Sequence, residues 1–179
     1  MLNDGPVIAG ADVAQILNEE LGSLKAAIIN NIRATGQWAS GKTADSMQVQ
    51  VSGNTGELVG RKAFGTLETG RKGGRVPRNF AAIIYDWMQA KGVHASPMPY
   101  KTSGQHKYSS AQERGDRSMA AAIAHTIRTM GTRLYRNGGR ADVYSNEIPA
   151  TIERVNSRLS GILAATVAYQ IKLNIGGTQ

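Results

Sequence analysis

Between Asp12 and Ala34 the apolar residues Val13, Ile16, Leu17, Leu21, Leu24, Ile28 and Ile32 fall at helical spacing. On a helix they share one face, and Asp12 stands where a side-chain oxygen caps the first turn. A helix of about six turns with one apolar face is marginal alone in water, because its stability comes from packing that face against something else. The rest of the chain must provide that surface, and its patterning says of what kind.

Ser46 to Ser52 alternates through Met47, Val49 and Val51, and Glu57 to Phe64 reads as its partner. Gly53, Asn54, Thr55 and Gly56 between them supply the turn. Leu67 continues the second strand or begins a third. Phe80, Ile83, Ile84, Trp87 and Met88 return to helical spacing, with Pro77 or Asn79 at the start and Gly92 closing the helix after Lys91. Sharing that stripe, Trp87 and Phe80 are expected in the core rather than against a partner. Asp116 or Ser118 caps a further helix that carries Met119, Ala122, Ile123, Thr126, Ile127 and Met130 on one side and stops at Gly131. Asn146 opens another, with Pro149 early and Ile152, Val155, Leu159 and Leu163 as its stripe. From Thr166 the period falls to two, Val167, Tyr169, Ile171, Leu173 and Ile175 alternating with polar or small residues, which predicts a half-buried strand.

These elements define an α+β fold: a small antiparallel β-sheet, the hairpin plus the C-terminal strand, covered by the N-terminal helix and two to three further helices. A chain of 179 residues suits one domain with its own core, placed over residues 11–175. Residues 1–10, with Gly5, Pro6 and Gly10, are expected to be a flexible arm, and residues 176–179 a frayed tail. The opening residues lack a basic region followed by an apolar core, and no run of about 18 apolar residues exists, so neither a secretory signal nor a membrane span is expected. With no cysteine, and with His94, His106 and His125 scattered, neither a metal nor another cofactor is expected.

Residues 36–43 match the P-loop consensus, Gly36 through Gly41, Lys42 and Thr43. That loop works when a strand precedes it and a helix N-terminus follows to meet the phosphates. Here a helix precedes and a strand follows, so the match is read as chance. No paired carboxylates, no nucleophile with an evident base and no placed histidine accompany it, so no enzymatic activity is expected.

Charge is distributed unevenly. Residues 1–60 carry a net charge of −3, residues 61–140 of +11 and residues 141–179 of 0, within a total of +8. Such a segment attracts phosphate backbones or acidic protein surfaces, and can equally be a solvated face. Three stretches concentrate the cations. Arg71, Lys72, Arg75 and Arg78 lie among Gly70, Gly73 and Gly74 in a loop before the Trp87 helix. Arg133, Arg136 and Arg140 surround Asn137, Gly138 and Gly139 in a loop over 132–145. Lys101 and Lys107 alternate with Tyr100 and Tyr108 in a patternless stretch over 93–115, a composition that suits stacking on bases or, the weightier reading, contact with another subunit.

Leu67-Glu68-Thr69-Gly70, a basic turn, a proline and a helix with Trp87 before Lys91-Gly92 resemble tailed-phage head-tail connector and tail-completion proteins of the HK97 gp10-like type. Thr35-Gly36 before the first strand, and residues 120–132 with their terminal Gly131-Thr132, are similar too. The loops at 93–115 and 132–145 exceed what the simplest members need. The resemblance implies a structural protein of the virion, assembled in the host bacterial cytoplasm. It implies a ring of about six or twelve copies at the head-tail junction, in contact with portal or adaptor ring and tail proteins. Arg71, Lys72, Arg75, Arg78, Arg133, Arg136, Arg140, Lys101, Lys107 and Tyr108 are then the candidates for facing DNA or neighbours. The alternative is a non-specific nucleic-acid-binding protein that uses residues 61–140.

Overall fold

The computed structural model describes residues 10–102, 104 and 107–176. The expected arm lies outside them except for Gly10, and the expected tail except for Gly176. The elements run α1 (Gly10–Ala34), α2 (Lys42–Asp45), β1 (Gln48–Ser52), β2 (Thr55–Val59), α3 (Thr66–Thr69), α4 (Phe80–Lys91), α5 (Ala111–Met130), α6 (Arg133–Arg136) and α7 (Glu147–Gly176). They form two compact units. One gathers Met1–Gly36, Ala44–Lys62 and Ala141–Gln179, the other Gln37–Thr43 and Ala63–Arg140.

In the first unit α1 is the shared wall. Ile16, Leu24, Ile28 and Ile32 are buried, as their spacing requires, along with Met47 and Val143. The hairpin turns in two residues, since Ser52 pairs with Thr55 and Gln48 with Val59. Gly53 takes φ 57 there, as a glycine-first two-residue turn demands. The strand backbone lies directly on α1: a β-carbon on Gly56 would stand 2.7 Å from Leu21 Cδ1 and 3.3 Å from Leu17 Cβ. Against α1 also runs α7. Arg154 Nε donates to Glu20 Oε2 at 2.8 Å, and Arg158 donates to Glu20 Oε1 at 3.0 Å and to Glu19 Oε2 at 2.6 Å. Asn31 Nδ2 donates to Val143 O at 3.2 Å and to Glu147 Oε1 at 3.1 Å. The bond from Arg154, followed by that from Arg158, holds the Glu20 carboxyl below its ordinary range.

The strand expected over 166–175 does not form. Helix α7 runs unbroken to Gly176, and the sheet has two strands. Leu159, Leu163, Val167, Ile171 and Ile175 each stand four residues after the one before, so the apparent alternation contains a helical row. No glycine or proline lies between Gly161 and Gly176 to stop the helix. Extending an existing helix needs no new nucleus and adds one backbone bond for each residue fixed. The fold is α+β with its sheet reduced to the hairpin.

In the second unit α4 packs on α5. Ile84 and Met88 meet Ala120 and Ala124, with Phe80, Tyr85, Val93, Met119, Ile123 and Ile127 around them. Pro77 precedes α4, its carbonyl accepting from Phe80 N at 3.1 Å. Asn79 holds the cap position without a side-chain bond, and Gly92 closes the helix at φ 63. Contrary to the core placement expected of it, Trp87 is 42% exposed, as is Ile83. One neighbouring helix covers a band narrower than the arc these five apolar residues span.

Helix α5 starts six residues earlier than the Asp116 cap implies. Ser110 accepts from Glu113 N at 3.0 Å, while Glu113 Oε2 accepts from Ser109 N at 3.0 Å. Gln112, Glu113 and Arg114 are good helix formers without an apolar rhythm, so periodicity is silent where capping chemistry speaks. The loop expected over 93–115 therefore ends at Ser110, and the one over 132–145 contains the single turn of α6, whose cap Thr132 accepts from Tyr135 N.

Candidate functional site

Two helix ends build the site. Helix α3 stops at Gly70 (φ 68, ψ −173) and α5 at Gly131 (φ 81, ψ 178), a conformation open essentially to glycine alone. The chains leaving them are bonded together. Thr132 N donates to Arg71 O at 2.8 Å, Arg71 N to Thr132 Oγ1 at 2.9 Å, Gly74 N to Arg128 O at 2.7 Å and Arg140 N to Glu68 O at 2.9 Å. Contact is too close for side chains: a β-carbon would meet the Tyr135 backbone from Gly70, Arg71 O at 2.6 Å from Gly131, Thr129 O at 2.7 Å from Gly73 and Glu68 O at 2.8 Å from Gly139. The two basic loops, some 60 positions apart in sequence, are thus one block.

The block sorts the candidate cations. Lys72, Arg136 and Arg140 line a cleft of about 690 Å³ together with Tyr135 and the backbone of Gly70, Gly138 and Gly139. Arg71 is instead a strut: its Nη2 donates to Arg75 O at 2.6 Å and its guanidinium lies 5.5 Å from the Phe80 ring centre. Its Nε is buried with no hydrogen-bond partner among the described residues. Arg75, Arg78 and Arg133 are exposed and do not line the cleft. Lys101 and Lys107 are exposed elsewhere in the unit, Lys107 Nζ lying 5.3 Å from the Tyr108 ring centre. Tyr108 is half-buried, with Arg117 5.5 Å from its ring, and Arg114 sits 4.5 Å from that of Tyr100. Part of each π-face is therefore already occupied by a cation from α5.

Sequence reading missed Asp116, taken only as a cap. It is 3% exposed. It accepts from His94 Nδ1 at 3.0 Å, Ala95 N at 2.7 Å, Gln112 Nε2 at 2.9 Å and Gln89 Nε2 at 3.4 Å. The one available signal was its place four residues before Ala120 on the buried face. Its bonds, His94 first and Ala95 next, hold its carboxyl down at about 2, below the ordinary 3.8, and Ser109 with Arg117 holds Glu113 at about 2 as well. Both carboxylates fasten the segment after α4 to the start of α5. With folded values below unfolded ones, their contribution is complete above the ordinary carboxylate range and is lost as pH falls from about 4 through about 2. Amide protection factors over residues 94–102 and 107–110, exchange rates being referred to those of unstructured chain at the same pH, should fall across that window. In Asp116→Asn exchange should already be fast at neutral pH, and an unchanged acid profile in that variant would refute the role.

The P-loop match has α1 before it and, after the single turn of α2, β1, the reverse of the order phosphate binding needs. Among the described residues no three His, Cys, Asp or Glu side chains come together, and no helix is long and apolar enough to cross a membrane. Divided by unit, the sequence has seven basic and nine acidic residues in the first and fourteen against four in the second, net −2 and +10. No family model, curated protein or solved structure matches the chain.

Proposed function

We propose that the chain is a structural virion protein of a tailed bacteriophage, a subunit of an oligomeric ring of about six or twelve copies at the head-tail junction. As neck connector, tail completion or tail terminator protein it joins the portal or adaptor ring to the tail and lets DNA pass. The interlock of Gly70 with Gly131 carries this reading. The segments in which the resemblance to connector proteins lies, Leu67 to Gly70 and Gly131-Thr132, lead into the two basic loops and hold them together in one block. Cations fixed in that way suit sequence-independent attraction to phosphate or to acidic neighbours. A second support is α7, where Ile148, Ile152, Leu163 and Val167 are 42–55% exposed, on another side from Arg154 and Arg158, which reach α1. Exposed apolar rows mark protein contacts, and a ring subunit needs surfaces for its own copies.

The charge division favours a second reading, a free nucleic-acid-binding protein acting through the +10 unit. Light scattering of the purified protein, with and without short duplex DNA at two salt concentrations, separates the two. A ring-sized mass indifferent to DNA is the expected result. A monomer that binds duplex only at low salt overturns the ring reading for the alternative.

A further inference from the structure

We infer that the cleft of Lys72, Tyr135, Arg136 and Arg140 is a socket for an acidic protein segment, a loop or chain end of a neighbour bearing two or three carboxylates. The inference rests on the ring reading above for who the neighbour is, and on the cleft itself for what it binds.

Four backbone donors of the lining are already used. Gly70 N bonds Thr66 O, Gly138 N bonds Tyr135 O, Gly139 N bonds Leu134 O and Arg140 N bonds Glu68 O. A guest is therefore recognised chiefly by side chains, above all the exposed Lys72 ammonium and Arg136 guanidinium, which are donors only and match carboxylate oxygens. Glu68, the one acid in the lining, is 3% exposed, so the face the cleft shows is that of its cations. Those cations come from both loops, whose backbone is held by the glycine interlock, so only the side chains have to be ordered when a guest arrives.

Shape chooses between an acidic peptide and nucleic acid. At about 690 Å³ the cleft has the size of a small-ligand site and accepts a few side chains at once. A duplex presents its phosphates along the outside of a rod, and is best met by cations spread along a track rather than gathered in one hollow. A protein loop is convex on the right scale, and Tyr135, 41% exposed, with the bare glycine backbone gives its chain an apolar wall.

The test uses the full chain and a fluorescein-labelled glutamate-rich peptide, followed by anisotropy, with labelled duplex DNA in parallel. The double variant Lys72→Ala/Arg136→Ala, both exposed positions, should weaken peptide binding at least about tenfold, as loss of charge-assisted bonds does. Arg75→Ala/Arg78→Ala, outside the cleft, should change it less than about twofold. Any low-salt binding of the duplex should fall to a similar extent in both. Peptide binding that is absent, or reduced equally in both variants, overturns the socket. DNA binding lost selectively with the cleft pair also overturns it, in favour of a phosphate site. Light scattering of the same samples reads the ring independently: rings that refuse the peptide sink the socket alone, and a monomer that takes it through the cleft supports the socket while sinking the ring.

Discussion

Gly70→Ala should cost the second unit about 3 to 5 kcal/mol, the sum of a backbone conformation that alanine avoids and of overpacking against fixed neighbours. A β-carbon there runs into the Tyr135 backbone and lies 2.7 Å from Thr132 Oγ1, neither of which is the far end of a flexible side chain. Gly65→Ala is the control, since Gly65 has φ −58 and open space around its β-carbon, and should change stability by less than about 1 kcal/mol in either direction. Gly131→Ala should match Gly70→Ala. Once either substitution has parted the loops, the second has less left to break, so the double variant should lose less than the sum. Urea unfolding followed by tryptophan fluorescence reads the right unit, because both tryptophans, Trp38 and Trp87, belong to it. Equal stabilities for Gly70→Ala and Gly65→Ala would mean that the two loops are not locked together in solution.

Met88→Ala should cost about 3 kcal/mol, within the range for truncating a buried methionine, because Met88 is 0% exposed at the centre of the α4 and α5 contact. Ile83→Ala on the same helix should cost about 1 kcal/mol or less, since Ile83 is 42% exposed and its methyls leave little cavity behind. The same unfolding curves give both values. A reversed order would show that α4 turns its other edge to α5. If the ring forms as proposed, the difference has a counterpart in assembly: with Trp87, Ile83 makes an exposed apolar pair one turn apart, free to meet another protein.

Much of the local structure was legible from residue spacing. The stripe from Val13 to Ile32, the turn at Gly53 and the stops at Gly92 and Gly131 are written in periods and in backbone freedom, which act over a few residues. Other local signals misled or went unread, and Leu67, expected in a strand, lies in the single turn of α3. At 166–175 an alternation overlay a row of apolar residues four apart, and the uninterrupted helix won. At 110–115 Ser110 and Glu113 announced a helix start that apolar rhythm does not show. For the site, the sequence named the cations and could not group them. Lys72 and Arg136 stand 64 positions apart, and all but one of the bonds that join their loops run between backbone atoms, which carry no mark of residue type.

What the amino-acid order determined by itself was therefore the four long helices, the last of them only as far as Thr166, the hairpin, the excess charge of residues 61–140 and the glycines able to turn sharply. The tertiary structure alone decided which loops met, that Arg71 became a strut while Lys72, Arg136 and Arg140 faced one cleft, that Trp87 stayed half in water and that Asp116 was buried among four donors. The division has a physical cause: helix and turn energies are summed over near neighbours in the chain, whereas burial and loop pairing depend on surfaces that come together only once the helices have packed.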